Sequence, residues 1–174
     1  PQKDNIQTSL ETIQSSVEYI NKIVQDLQDF AQPLKLNIEK TNLEVVIREL
    51  LSKLAIPSEI SVSLKIEEGA KMVCTDALVI KRILSNLTTN AVQAMPNGGK
   101  ITVTACNQGG NVVITVEDTG VGISEETKDK LFTPMFTTKA KGQGFGLAVV
   151  KRMTEALGGN IAFESAVGMG AKFT

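Results

Sequence analysis

The sequence predicts an α/β class of fold, a two-layer α/β sandwich preceded by a long N-terminal helix. Three observations lead there. An apolar stripe at heptad spacing runs through residues 6–31. From about residue 42 onward, helical patterns interleave with strand patterns joined mostly as antiparallel neighbours, the arrangement of a sheet covered by helices. One helix, "ILSNLTTNAVQAM" (83–95), has core spacing along one side and a row of carboxamides beside it.

In the first segment Ile6, Leu10, Ile13, Val17, Ile20, Val24, Leu27 and Ala31 step by four and three, the seam of a coiled coil. Pro33 ends the helix. A stripe this narrow calls for a partner helix, in another molecule or in a hairpin, because a helix packed on its own domain shows a wider apolar face. Residues 33–40 read as a connector. Thr41-Asn42 then cap a short helix through about Leu54, which Pro57 closes. "ISVSLKIEE" (60–68) alternates as a strand does, and "KMVC" (71–74) reads as a short strand just before the carboxamide helix, with Asp76 placed near that helix's start. "MPNGGK" is a turn. "KITVTACN" and "NVVITVED", separated by Gln108-Gly109-Gly110, form a β-hairpin. A glycine turn, a short helix from Ser124, a Phe/Pro segment, a second glycine cluster, a helix near 146–157 and the strand-like "NIAFES" follow. The chain stops at "GAKFT", inside a strand by this reading. The expected division is a helical segment 1–34, a linker 35–41 and the sandwich 42–174.

Composition narrows the chemistry. With 174 residues, the chain can bury a full core and holds one domain plus an appendage. A net charge of -1 provides no field to steer nucleic acid or acidic membranes, so no nucleic-acid partner is expected. No apolar run approaches the roughly 20 residues that span a bilayer, and the start lacks a signal-peptide layout. A cytoplasmic location is expected, with any membrane attachment outside this chain. Cys74 and Cys106 stand in separate strand-like segments without metal-type spacing, and read as small buried hydrophobes in a reducing compartment. There is no histidine, which removes Ser–His and Cys–His nucleophiles, imidazole zinc sites and the usual neutral-pH proton shuttle. A bound metal would have to be a hard one held by oxygen, such as magnesium. Gly99-Lys100 is followed by Ile101, so there is no P-loop.

At about 100° per residue, Ile80, Ile83, Leu84, Leu87, Ala91 and Ala94 share one direction, and Asn86, Asn90 and Gln93 share another about a third of a turn away. These carboxamides border the core, where an unpaired one costs about 1–3 kcal/mol. Taken alone, the helix is better read with them bonded to nearby backbone or water. "DTGVGI" (118–123) puts Asp118 at a strand end, with Gly120 and Gly122 permitting close backbone approach. Such a carboxylate can accept a hydrogen bond from an exocyclic amine of the kind adenine offers; the alternative is a surface turn with a solvated Asp. "KGQGFGLA" (141–148) runs Gly142, Gly144 and Gly146 straight into a helix, whose amides can hold phosphate oxygens beside Lys139 and Lys141; the alternative is a mobile linker. Neither cluster has the spacing of a dinucleotide fingerprint.

In order and spacing, these pieces together resemble the GHKL nucleotide-binding family. "NLTTNAVQAMPNGGKI", "DTGVGIS", "LFTPMFTTKAKGQGFGLAVVKRMTEALGGNI" and "ESAVGMGAKFT" are similar to the N, G1, F and G2 boxes and the following strands of a sensor histidine kinase of two-component signalling. The nitrogen-regulation subgroup, with its short lid, is the nearest match. The resemblance covers roughly 75–174 strongly and extends to residues 5–50 as the second helix of a dimerisation hairpin and its linker. It implies the Bergerat α/β sandwich, with ATP and Mg²⁺ as cofactors. It also implies Asn90 as the metal ligand, Asn86 lining the same pocket as a catalytic residue, and Asp118 reading the adenine amine beside Gly120, Gly122 and Ile123. Gly142, Gly144, Gly146 and Leu147 would wrap the phosphates. Phe132 and Phe136 would anchor the root of the lid, and Lys139 or Lys141 would neutralise the γ-phosphate as the remaining catalytic groups.

One departure is Gln93, which also lines the site by this match, where many such kinases carry a basic residue. A second contrast concerns Asn86: hydrolysing GHKL ATPases such as DNA gyrase carry a Glu there as general base, and Asn cannot accept that proton. The site is therefore expected to transfer phosphate to another nucleophile. Implied partners are a receiver domain of a response regulator, a first hairpin helix bearing the acceptor histidine, and a second copy in a homodimer. The chain reads as a piece cut between the two hairpin helices, binding ATP·Mg²⁺ and unable to phosphorylate itself. A hydrolysing ATPase and a non-catalytic nucleotide-sensing dimerisation module are the competing readings.

Overall fold

The computed structural model describes residues 33–137 and 144–174, together with residues 7, 9, 10, 12–14, 16, 17, 20, 21, 24, 27 and 28. The described residues of the N-terminal segment are all helical. Of the heptad stripe, Leu10, Ile13, Val17, Ile20, Val24 and Leu27 are exposed, by 47% to 60%; Ile6 and Ala31 lie outside the described residues.

Beyond Pro33 the chain forms the two-layer α/β sandwich. Strand β1 (Glu39–Asn42) leads directly into α1 (Leu43–Lys53). Asn42 caps that helix, its side-chain oxygen accepting the Val45 N–H at 3.1 Å. Next come β2 (Ile60–Ile66), a 3₁₀ turn (Glu68–Ala70), β3 (Met72–Thr75) and α2 (Ala77–Ala94). The hairpin β4 (Gly99–Gln108) and β5 (Asn111–Asp118) precedes the short α3 (Glu125–Lys128). Helix α4 (Gly146–Ala156), β6 (Phe163–Ser165) and β7 (Ala171–Phe173) complete the fold. The main sheet has the order β2-β4-β5-β7-β6, parallel only between β2 and β4. That one parallel pair needs the long crossover through β3 and α2.

The core lies between this sheet and the helices. Ile101, Val103 and Ala105 alternate with more exposed residues along β4, the signature of a sheet covered on one face. Ile101 and Val103 share one core with Leu43 and Ile47 of α1, Ile83, Leu84 and Leu87 of α2, and Val149, Val150 and Met153 of α4. Helix α2 is central, packing against both other long helices and against β4 and β5.

Three expectations change. The end of the connector is not irregular: Glu39 and Lys40 belong to β1, which pairs antiparallel with β3 from Glu39↔Thr75 to Asn42↔Met72 in a separate two-stranded ribbon. "NIAFES" is a strand only over Phe163–Ser165. Neither cysteine is buried: Cys74 is exposed and Cys106 half-buried, both as free thiols. Cys74 stands opposite Lys40 on the outward face of the ribbon, and Cys106 alternates out of phase with the buried residues of β4.

Candidate functional site

The candidate residues gather at two places along α2. At its C-terminal end, Asp118 finishes β5 between Ile101 of β4 and Ala171 of β7, and this central position leaves it only 6% exposed. The chain then turns sharply. Gly120 N–H donates to Asp118 Oδ1 at 2.8 Å, and Val121 N–H donates to the Ala94 carbonyl at 3.1 Å, satisfying one of the terminal acceptors of α2. A Cβ on Gly120 would stand 2.6 Å from that carbonyl oxygen and 2.8 Å from Asp118 Oδ1. Gly122 has φ 72°, and a Cβ there would collide with the Ala166 carbonyl, so only glycine serves. Ile123 is half-buried against the core. Its N–H donates to Ser165 Oγ at 2.9 Å, and that hydroxyl donates to the Gly170 carbonyl at 2.6 Å. Gly168 N–H closes the clamp on the Val121 carbonyl at 2.8 Å.

The second place is midway along α2. Asn86 and Asn90 are half-buried, at the border of the core. Asn86 Nδ2 donates to the Arg82 carbonyl at 3.1 Å, one turn back. Gly146, the first residue of α4, lies against both: a Cβ added to it would stand 3.3 Å from Asn86 Oδ1 and 3.9 Å from Asn90 Nδ2. The N-terminal end of α4, with its partial positive charge, therefore faces the two carboxamides. Gly144, at φ 72°, is pressed onto the backbone of Met135 and Phe136, 2.6 Å separating its would-be Cβ from the Phe136 nitrogen. Leu147 and Phe132 are half-buried against the core. Phe132 meets Phe163 edge-on at 5.8 Å, and Phe163 stacks on Phe173 at 5.9 Å. Phe136 is half-buried, its N–H donating to the Thr133 carbonyl at 3.2 Å.

The structure thus brings Asn86, Asn90 and Gly146 together, seats Gly144 on Phe136, and assembles Asp118, Gly120, Gly122 and Ile123 around the end of the same helix. Gln93 departs from the expected place at the border of the core: it is exposed, in the last turn of α2 near the exposed Pro96 and Asn97. Lys139, Lys141 and Gly142 lie outside the described residues. Sequence reading missed Ser165 and Gly170, the two residues that hold the Asp118 turn from behind. Gly170 has φ 78°, and a Cβ on it would strike the Asp118 carbonyl. The only trace in the sequence is the glycine spacing of "ESAVGMG", which does not disclose what it packs against.

Among the described residues no group of three or more His, Cys, Asp or Glu could hold a metal ion. The paired carboxamides of Asn86 and Asn90 fit a hard cation, since amide oxygens suit magnesium without adding negative charge beside a polyphosphate. No helix among the described residues is long and apolar enough to cross a membrane.

A helix-covered sheet with a buried carboxylate and carboxamides along one helix, closed by glycine turns, has the architecture of a nucleotide-binding domain. Residues 75–174 match the family described as histidine kinase-, DNA gyrase B- and HSP90-like ATPase, and the chain belongs to that family. The sensor histidine kinase ZraS of Escherichia coli strain K12 is 37% identical over 158 residues, covering 89% of this chain and 34% of ZraS. The catalytic domain of histidine kinase ThkA, solved free of nucleotide, shares 33% identity at a TM-score of 0.70, covering 79% of this chain and 92% of that one. ThkA in complex with the response regulator protein TrrA shares 28% identity at a TM-score of 0.77, covering 95% of this chain and 48% of that one. The chain spans about a third of the length of ZraS.

Proposed function

We propose that this chain is the ATP-binding catalytic part of a sensor histidine kinase of the nitrogen-regulation type, which passes the γ-phosphate of ATP to a histidine supplied by another segment. The observation that carries this reading is the meeting of Gly146 with Asn86 and Asn90 on the same helix whose far end docks the Asp118 turn. A nucleotide with its base at Asp118 would lay its phosphates along α2 toward the N-terminus of α4. Asp118 would accept from the adenine amine, and Asn90, with Asn86 beside it, would hold Mg²⁺. When bound, Mg²⁺ supplies the charge neutralisation that phosphoryl transfer needs. The N-terminal amides of α4 add fixed donors to the same phosphates, with Lys139 and Lys141 as further cations.

Asn86 has no carboxylate to act as general base toward water, which favours transfer over hydrolysis. Because the chain contains no histidine, the acceptor must come from elsewhere; a receiver domain of a response regulator would take the phosphate next. The exposed heptad stripe suits pairing with the acceptor helix and with a second copy. A cytoplasmic site of action follows from the ATP requirement.

The test has two parts. Titration with an ATP analogue should show Asn90→Ala losing magnesium-dependent affinity by more than tenfold and Asp118→Asn losing preference for adenine over guanine; unchanged binding in both removes the assignment. With labelled ATP, phosphate should appear on an acceptor-histidine helix added in trans and never on this chain alone. Steady phosphate release without that helix would instead identify a hydrolase.

A further inference from the structure

Asp76 follows β3 and caps α2. Its Oδ1 accepts the N–H groups of Leu78 at 2.9 Å and Val79 at 3.1 Å, which is all that an N-cap requires. Its second oxygen has a different partner. Oδ2 accepts the N–H of Asn37 at 2.8 Å, from a residue 39 positions earlier in the connector between the helical segment and β1. The carboxylate is 5% exposed, so these bonds form largely out of competition with water. Neighbouring contacts run the same way. Thr41 Oγ1 donates to the Thr75 carbonyl at 3.3 Å, β1 is paired with β3, and Leu34 and Leu36 pack against the core. The connector is thus fastened at the first turn of the helix that carries Asn86 and Asn90 about three and four turns further on.

We infer that Asp76 is a positioning residue, a joint that couples the connector to the start of α2, so that movement of the helical segment is passed to the Asn86–Asn90 face instead of being absorbed in a loose linker. The inference rests on the nucleotide reading proposed above. A side chain that only capped α2 would leave Oδ2 to water or to its own helix; here that oxygen bridges two parts of the chain, and an α-helix is stiff enough to carry the constraint along its length.

Two substitutions remove this bond from opposite sides. Asp76→Ser keeps a capping oxygen that is too short to reach Asn37. Asn37→Pro deletes the donor and leaves Asp76 untouched. Asn37→Ala keeps the N–H and serves as control. Hydrogen exchange is followed with and without a non-hydrolysable ATP analogue plus Mg²⁺. In the unsubstituted chain and in Asn37→Ala, the analogue should slow exchange across α2 and also, at least fivefold, at the amides of Leu36 and Ile38. In Asp76→Ser and Asn37→Pro the slowing at the connector should vanish, while α2 remains protected and the analogue's Kd stays within twofold. Connector slowing that survives both substitutions, or that is missing from the unsubstituted chain while α2 is protected, overturns the joint. An unsubstituted chain with no protection at α2 overturns the nucleotide reading itself, and the joint's role falls with it.

Discussion

At the C-terminal end of α2 the Asp118 turn is held mainly through backbone groups: Val121 on Ala94, Gly168 on Val121, Gly120 N–H on the Asp118 carboxylate, and a serine hydroxyl joining Ile123 to Gly170. Midway along the same helix, the Asn86–Asn90 face is built from half-buried side chains that lie against the first residue of α4. The first region is shaped by steric necessity, with positive-φ glycines packed against carbonyls. The second is shaped by chemistry, with oxygen donors placed where water and ions can reach them. Damage to the first should therefore unfold before it disarms, and damage to the second should disarm while leaving the fold intact.

The largest effect that tests this contrast is expected from Gly122→Ala. The substitution forces an L side chain to φ 72° and into the Ala166 carbonyl, and should destabilise by about 2–4 kcal/mol. Urea unfolding measures it; a loss comparable to that of Asn90→Ala, whose face can re-solvate, would erase the distinction. Ser165→Ala comes next. It leaves the Ile123 N–H and the Gly170 carbonyl without their shared hydroxyl, at a cost of about 1–3 kcal/mol. Adenine-nucleotide affinity should fall with it, because the Asp118 turn loses its backing. Unaltered stability would mean that the glycines alone hold the turn.

The joint at Asp76 adds a pH dependence of smaller size. Burial works to raise its carboxyl pKa, but the N–H bonds from Asn37, Val79 and Leu78 outweigh burial and hold it below the ordinary Asp value of 3.8. A group whose folded pKa is depressed stabilises the fold above its unfolded pKa and stops doing so as pH falls through the folded value. Asp76→Asn keeps a capping oxygen but loses the charge, so it should be less stable than the unsubstituted chain by about 1 kcal/mol at neutral pH. That gap should close as pH drops below 3.8. Acid titration of the two proteins side by side checks it; a gap constant down to pH 2 would show that the charge contributes nothing.

What sequence could disclose divides along the same line. Helix α2, its Asp76 cap and the border position of Asn86 and Asn90 were readable because period, cap and flank are local properties of one helix. The β4–β5 hairpin was readable because its turn glycines, at φ 60° and 87°, sit between two alternating runs. Strand β1 was not: four residues without alternation become a strand only because β3, 30 to 36 positions later, pairs with them. Ser165 and the Asn37–Asp76 bond were hidden for the same reason, being contacts across 42 and 39 residues. Gln93 is exposed instead of standing at the core border, because helical angle alone does not tell how far burial extends along a flank.

The smallest expected effect has the opposite sign, and it sharpens the contrast within α2 itself. Thr88 lies between Asn86 and Asn90 in sequence but faces inward. It is 1% exposed, and its hydroxyl has no hydrogen-bond partner among the described residues. Leaving a hydroxyl unsatisfied in a core costs roughly 1–3 kcal/mol by mutational series, while valine offers nearly the same shape without the polar atom. Thr88→Val should therefore stabilise the domain by about 1 kcal/mol and leave ATP-analogue affinity unchanged, since the side that binds is the half-buried flank. A rise in the urea midpoint with constant Kd is the expected result. A loss of stability would reveal a bond made by that hydroxyl, and a loss of affinity would show that the inward face of α2 takes part in the site.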